Sequence, residues 1–191
     1  MQRLFEALQT EGIIRIKMEA VCLDSTTVKV HTDILTDWCV KKTGKQSIGR
    51  SRGGLTTKIH MVTASDRAVI AVTLSGGNEH DAPEGELLLE RMERRPEQIY
   101  LLMDRAYEGD KMRIKAEQKG FIAIVPPKIN RKQPWDYDKE RYKQRNEIER
   151  CFLRIKRFRK IFTRHDKLDI IFSGFIYFAL IYDSIISVNR L

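Results

Sequence analysis

An aspartate inside a β-strand is the tightest constraint on how this chain can fold. The run Val21-Cys22-Leu23-Asp24-Ser25-Thr26-Thr27-Val28-Lys29-Val30 has the branched and apolar side chains of a strand, with Asp24 in its interior. A second aspartate, Asp104, directly follows the apolar run 99–103, and Glu149 lies far downstream on a basic helical stretch. Strand interiors disfavour Asp, and an unpaired carboxylate withdrawn from water is costly, so each placement asks for compensation. A divalent cation shared among the three would supply it, provided the fold can gather them.

The periodicity around these acids reads as α/β. Residues 2–14 suggest a short amphipathic helix broken near Gly12, followed by the strand that carries Asp24 and extends towards His31. The segment 33–54 is polar, basic and glycine-containing, and reads as a mobile loop. Residues 55–62 and 68–74 are β-rich runs joined by a hairpin signal at 63–67. A helix over 83–92 carries Pro83 in its early turn and has Asp81 or Ala82 at its start. Next come the strand 99–103, a helix over 109–118 ending at Gly120, and the strand 121–125, which Pro126 and Pro127 terminate. A long helix bearing Glu149 follows, and an apolar helix closes the chain. Its longest uncharged stretch, 170–182, is too short to span a bilayer and reads as buried. At 191 residues, one domain with a sizeable core is expected.

The net charge of +9 is concentrated in two places. Residues 137–167 hold twelve Lys/Arg against five Asp/Glu, and residues 41–58 hold six cations and no acid. The rest of the chain is slightly acidic. A polyanionic partner is one reading, because each neutralised phosphate releases counterions; a solvated basic face is the other. The three cysteines, Cys22, Cys39 and Cys151, have no Cys-x-x-Cys spacing. They argue against a disulfide scaffold or structural zinc site and suit a reducing cytoplasm. His31, His60 and His165 show no ligand spacing and read as structural, while Trp38 and Trp135 fall in polar loops, for local packing or for stacking on an unpaired base.

On a helix, Tyr142, Arg145, Glu149 and Lys156 share one stripe, since they are separated by three, four and seven residues. Spacing alone favours a plain (i, i+4) ion pair between Arg145 and Glu149 on an exposed helix; the conjunction with the two strand-associated aspartates points away from it. The four residues fit the Tyr-x2-Arg-x3-Glu-x6-Lys signature without a gap. Leu23-Asp24-Ser25-Thr26 and Asp104-Arg105-Ala106-Tyr107 are similar to the first- and second-aspartate segments that accompany it, and Gly77-Asn78-Glu79-His80-Asp81 to a segment that often precedes the second. By these motifs the chain resembles the catalytic part of bacterial insertion-sequence transposases of the DDE type, from about residue 21 to 186.

That resemblance implies a ribonuclease H-like fold, a mixed five-stranded sheet flanked by helices, with the first and fourth strands side by side at its centre. It implies two-metal phosphoryl transfer on DNA: Asp24, Asp104 and Glu149 as catalytic metal ligands, Mg²⁺ or Mn²⁺ as the ions, and Tyr142, Arg145 and Lys156 against DNA. The implied partners are double-stranded DNA, at element ends and target, and a second copy in a dimer on that DNA. Family members generally have a longer N-terminal recognition region. Residues 1–20 therefore read as a remnant of it and 21–191 as the catalytic domain, in a bacterial, nucleoid-associated protein. A nuclease of the same fold that cuts without joining, and an inactive DNA-binding remnant, remain as alternatives. Asp81 reads as a helix cap beside a surface His80.

Overall fold

The computed structural model describes residues 1–14, 16, 18–36, 44–65, 67–93 and 98–188. The elements, in order, are α1 (Gln2–Thr10), β1 (Ala20–Val30), α2 (Asp33–Thr36), β2 (Gly49–Ser51), β3 (Gly54–Thr63), β4 (Val69–Gly76), α3 (Asp81–Arg91), β5 (Ile99–Met103), α4 (Asp110–Gln118), β6 (Phe121–Ile124), α5 (Lys139–Tyr142), α6 (Asn146–Ile155), α7 (Arg159–Phe162), β7 (Thr163–Arg164) and α8 (Asp169–Val188). Five long strands run in the order β4-β3-β1-β5-β6. Short β2 adds to β3 and short β7 to β1, giving a seven-stranded sheet where five strands were expected. The segment expected to be a loop over 33–54 thus contributes α2 and β2; its residues 37–43, with Trp38 and Cys39, lie outside the described residues.

Connection length explains the mixture of strand directions. β3 and β4 are joined by a tight turn and pair antiparallel, as do β1 and β3. β5 pairs parallel with β1 and with β6, each time after a chain crossover that includes a helix, α3 or α4. Side chains alternate across β1, so its two faces build two cores. Val21 and Leu23 join Leu88 and Leu89 of α3, Met103 of β5 and Tyr107. Cys22 and Val28 face Ile148, Cys151, Phe152 and Ile155 of α6 and the inner side of α8. Those α6 residues recur at helical spacing, which sets the helix against the sheet.

Helix α8 is longer than its uncharged stretch implied: it continues past Asp183, whose carboxylate pairs with Arg154 at 2.9 Å. Residues 169–186 of this helix are apolar and long enough to cross a membrane, but Phe172, Ile176 and Ala179 are fully buried in the domain core. Phe5 of α1 is also buried, its ring 5.5 Å from Tyr177 of α8, so the N-terminal helix is packed into the same core.

Unexpected from the sequence are β7 and, within it, a wholly buried Arg164. Every nitrogen of its guanidinium is occupied. Nε donates to Asp166 O at 2.7 Å, Nη1 to Thr57 Oγ1 at 2.8 Å and Ser47 O at 3.3 Å, and Nη2 to Lys167 O at 2.9 Å and Asp169 Oδ1 at 2.8 Å. Asp169 in turn accepts from Ser47 N at 2.7 Å and Ser47 Oγ at 2.6 Å. A buried charge is tolerated when paired and hydrogen-bonded to this extent. The network fastens the start of α8 and the residues before β2 to β3.

Candidate active site

Parallel pairing between β1 and β5 aligns Leu23 with Met103, so the next residues, Asp24 and Asp104, fall side by side. Alternation then turns both aspartates to the face covered by α6: Asp24 follows the direction of Cys22, and Asp104 that of Leu102. β5 ends at Met103, and Asp104 caps the 3₁₀ turn Arg105–Tyr107, its Oδ1 accepting from Arg105 N at 2.6 Å. Asp24 Oδ1 accepts from Ser25 N at 2.7 Å.

The third acid arrives on a broken helix. The run expected to be one long helix consists of α5, a 3₁₀ turn Lys143–Arg145 and α6. Such a turn tightens the backbone and re-aims side chains. Arg145, at its end, spans the gap between sheet and helix: Nη1 contacts Asp24 Oδ2 at 2.5 Å and Nη2 contacts Glu149 Oε1 at 2.5 Å. The expected (i, i+4) pair is therefore present, and the structure adds a link from the same guanidinium to the strand aspartate. Arg145 and Asp24 are 20% and 16% exposed, whereas Glu149 is 49% exposed, at the rim.

Electrostatics mark the site as strained. Burial pushes Asp24 up to about 6, with Asp104 and Glu149 adding repulsion, against the Ser25 N–H and Arg145, which favour its charge. Burial opposes the charge on Arg145, but Asp24, Tyr142, Glu149 and Asp104 outweigh it and hold its pKa above the ordinary value. Among the described residues no group of three His, Cys, Asp or Glu side chains is drawn together closely enough to hold a metal ion. The three acids share a region, and a guanidinium cation occupies the space between two of them. Hard carboxylate oxygens around a bound cation are the donor chemistry that Mg²⁺ or Mn²⁺ takes.

Lys156 does not hang free beside them. It ends α6, and its Nζ donates to Thr26 Oγ1 at 2.6 Å and Thr27 O at 3.1 Å, tying the helix to β1. Burial lowers its pKa. Tyr142 stacks edge-on against Tyr137 at 5.5 Å, with the Arg145 guanidinium 5.8 Å from its ring, and burial raises its phenol.

Asp81 departs from the expected cap. His80 is the N-cap of α3 and makes no side-chain cap bond. Asp81 instead accepts from Ser25 Oγ at 3.0 Å and Lys58 Nζ at 2.9 Å. His60, across the β1–β3 ladder from Ser25, is fully buried with Nε2 2.8 Å from Ser75 Oγ; burial drives its pKa down to about 4, so it is neutral at pH 7. The alternation Lys58-Ile59-His60-Met61 was the signal for this polar face, and it was not read. Gly77 lies so near Thr56 that any Cβ would collide with it. Trp135 serves packing: Nε1 donates to Val125 O at 2.9 Å, and Arg113 and Arg131 lie 3.8 and 4.6 Å from its ring. His31 and His165 stack on each other at 4.5 Å.

Over residues 15–183 the chain matches the family described as Transposase DDE domain. A Brucella ovis protein assigned as the transposase for insertion sequence element IS6501 is 30% identical over 129 residues, covering 65% of this chain and 95% of that protein. Among solved structures, the piggyBac transposase synaptic complex with hairpin DNA is similar at a TM-score of 0.56 and 11% identity, covering 90% of this chain and 47% of that one. This chain thus spans about half the length of that protein, and the likeness concerns fold alone. The Mos1 transposase paired-end complex with left transposon end covers 97% of this chain and 59% of that one at 14% identity, but its TM-score of 0.35 carries no weight. With a family match over nearly the whole chain and a mixed sheet that sets two aspartates side by side at its centre, the protein belongs to the insertion-sequence DDE transposases and has a ribonuclease H-like fold.

Proposed function

We propose that this chain is the catalytic domain of a DNA transposase that cleaves strands at element ends and joins the freed 3′-hydroxyl to target DNA. Residues 21–191 form the catalytic unit, with the helical segment 1–20 packed against it through Phe5. The observation that carries the reading is Arg145, held at once by Asp24 and Glu149 from two different elements. Asp24, Asp104 and Glu149 would hold the divalent ions, two of Mg²⁺ or Mn²⁺, which supply Lewis-acid polarisation of the phosphate and a lowered pKa on the attacking hydroxyl.

The chain's own side chains do the rest. Arg145 offers a planar fork suited to two phosphate oxygens, next to the acids that face the scissile bond. Tyr142 lines the same edge. Lys156 holds α6 against β1 and offers its remaining donor to the DNA backbone. Exposed Arg50, Arg52, Lys143, Arg157, Arg159 and Lys160 supply non-specific attraction to the duplex. Assembly on paired ends calls for two copies, in association with the nucleoid.

The test is strand cleavage of a duplex carrying the DNA that flanks the protein's own reading frame, with Mg²⁺. Asp24→Asn is expected to fold normally and cut at background level; cleavage at the wild-type rate removes Asp24 from the mechanism. Pre-cut ends supplied with plasmid separate the two activities, because a transposase yields joined products and a nuclease does not. An inactive remnant gains no thermal stability from millimolar Mn²⁺, whereas an intact site does.

A further inference from the structure

We propose that helix α3 is a positioning strut for both strand-borne aspartates, with Asp81 aligning Asp24 through Ser25 and Gly85 seating the turn that follows Asp104. The inference rests on the catalytic reading above and adds residues to it on the far side of the sheet.

Asp24 and Ser25 point to opposite faces of β1, as successive strand residues must. Ser25 therefore links the two faces: its backbone N–H holds the Asp24 carboxylate at 2.7 Å, while its hydroxyl donates to Asp81 at 3.0 Å. Asp81 is itself fixed. Lys58 of β3 donates to it at 2.9 Å and to Glu79 O at 2.7 Å, so the carboxylate is tied to the strand beside β1 and to the turn before α3. The pair is mostly out of solvent, at 17% exposure for Lys58 and 22% for Asp81.

Gly85 lies one turn on from Asp81, on the same side of α3. A Cβ there would come within 2.7 Å of a Tyr107 ring carbon and 3.0 Å of Met112 Cε, so only glycine lets the helix sit this close. Tyr107 is wholly buried three residues after Asp104, and its N–H donates to Asp104 O at 2.9 Å. Its hydroxyl is buried beside Ser25. One face of one helix thus touches the segment next to each aspartate.

Folding alone does not ask for this cluster. The neighbouring residues on that face, Val21, Leu23, Val62, Leu88, Leu89 and Met103, are buried and apolar, and polar groups among them cost free energy unless paired. A polar patch interrupts them directly behind Asp24, and it continues into the buried His60–Ser75 pair of β3 and β4. Asp81 touches no reacting atom; it acts by holding a carboxylate-bearing strand in orientation, as outer partners do for metal ligands.

Titration of the full chain with Mn²⁺ by calorimetry, together with kcat and KM for cleavage, tests the strut. Asp81→Ala and Ser25→Ala are each expected to weaken Mn²⁺ binding about tenfold, and the double variant no further, because outer partners of metal ligands typically contribute at that scale. Asp81→Asn, which keeps the acceptor for Ser25, is expected to restore most of the affinity. Cleavage should lose kcat with KM for DNA unchanged. If Asp81→Ala fails to fold, Ser25→Ala, which removes a single oxygen, carries the test. Wild-type Mn²⁺ affinity in both Ser25→Ala and Asp81→Ala, with affinity lost in Asp24→Asn, overturns the strut and leaves the catalytic reading intact. Equal affinity in Asp24→Asn and wild type, or no binding by either, overturns the catalytic reading and the strut with it.

Discussion

Two arginines lie beside β1, one at its last residues and one at its interior, and show how the same side chain becomes scaffold in one place and site in the other. Arg164 sits beside the last residues of the strand, fully buried, with acceptors on every nitrogen and a partner, Asp169, that is itself satisfied by Ser47. Arg145 sits beside Asp24, held by two carboxylates, one of them at the solvent rim. Nothing can replace the partners of Arg164 without leaving a buried charge unpaired. The partners of Arg145 are groups that another cation can take, and its own fork can turn to phosphate. The contrast lies in how many other groups fix the pair, not in the chemistry of guanidinium and carboxylate.

The largest expected effect tests the scaffold side. Asp169→Ala strands Arg164 and is expected to cost about 3–5 kcal/mol in urea unfolding, the usual scale for breaking one half of a buried pair. A loss below about 1 kcal/mol, the range of exposed pairs, would erase the distinction between the two arginines. Arg145→Ala is the counterpart. Cleavage is expected to fall on the order of a hundredfold, as when one transition-state donor is removed, while stability stays within about 1 kcal/mol of wild type. Unfolding of that variant near room temperature would make Arg145 scaffold as well.

A smaller effect follows from the raised pKa of Asp24. The folded protein keeps a proton on Asp24 up to about pH 6, whereas an unfolded aspartate releases it near pH 4. The native state binds more protons inside that window, so this group's contribution to stability falls as pH rises through it and stays low above it. Asp24→Asn is therefore expected to be more stable than wild type at pH 7, by about 1 kcal/mol or more, with the gain gone at pH 4. Denaturant midpoints at the two pH values check it, and a variant less stable at pH 7 would contradict it. The smallest effect belongs to Lys156. With Nζ engaged by Thr26 and Thr27, Lys156→Met is expected to lower stability by about 1 kcal/mol. It should also change the slope of log affinity for DNA against log salt by less than one released counterion. A full unit of slope would make Lys156 a phosphate contact first and an anchor second.

Much of the frame was legible in the chain because it depends on local pattern. The alternation in 21–30, the apolar block 99–103 and the stop at Pro126 set β1, β5 and β6 within a residue or two. That Asp24 and Asp104 would be neighbours was not a matter of spacing. It came with the resemblance, which put the two strands side by side, and β1 and β5 do pair in parallel up to Leu23 and Met103. Misreadings occurred where a distant partner overrode a local signal. His80-Asp81 ahead of Pro83 does open helix α3, but Lys58 and Ser25, reached only across the sheet, draw the Asp81 carboxylate away from the expected capping role. The stripe from Tyr142 to Lys156 assumed uniform helix, and the 3₁₀ turn at Lys143–Arg145 breaks it while bringing Arg145 onto Asp24. Arg164 carried no sign of burial, because arginine is ordinarily exposed and its five acceptors come from three separate stretches of chain.

The most direct trial is a crystal structure of the protein grown with Mn²⁺ and examined by anomalous scattering. A peak is expected on the α6 face between β1 and β5, about 2.0–2.6 Å from carboxylate oxygens of Asp24, Asp104 and Glu149, the range of hard-cation ligands, with the Arg145 guanidinium turned away from both acids. Manganese bound elsewhere, or the Asp24–Arg145–Glu149 bridge unchanged with no peak beside it, would mean that the three acids do not form a metal site.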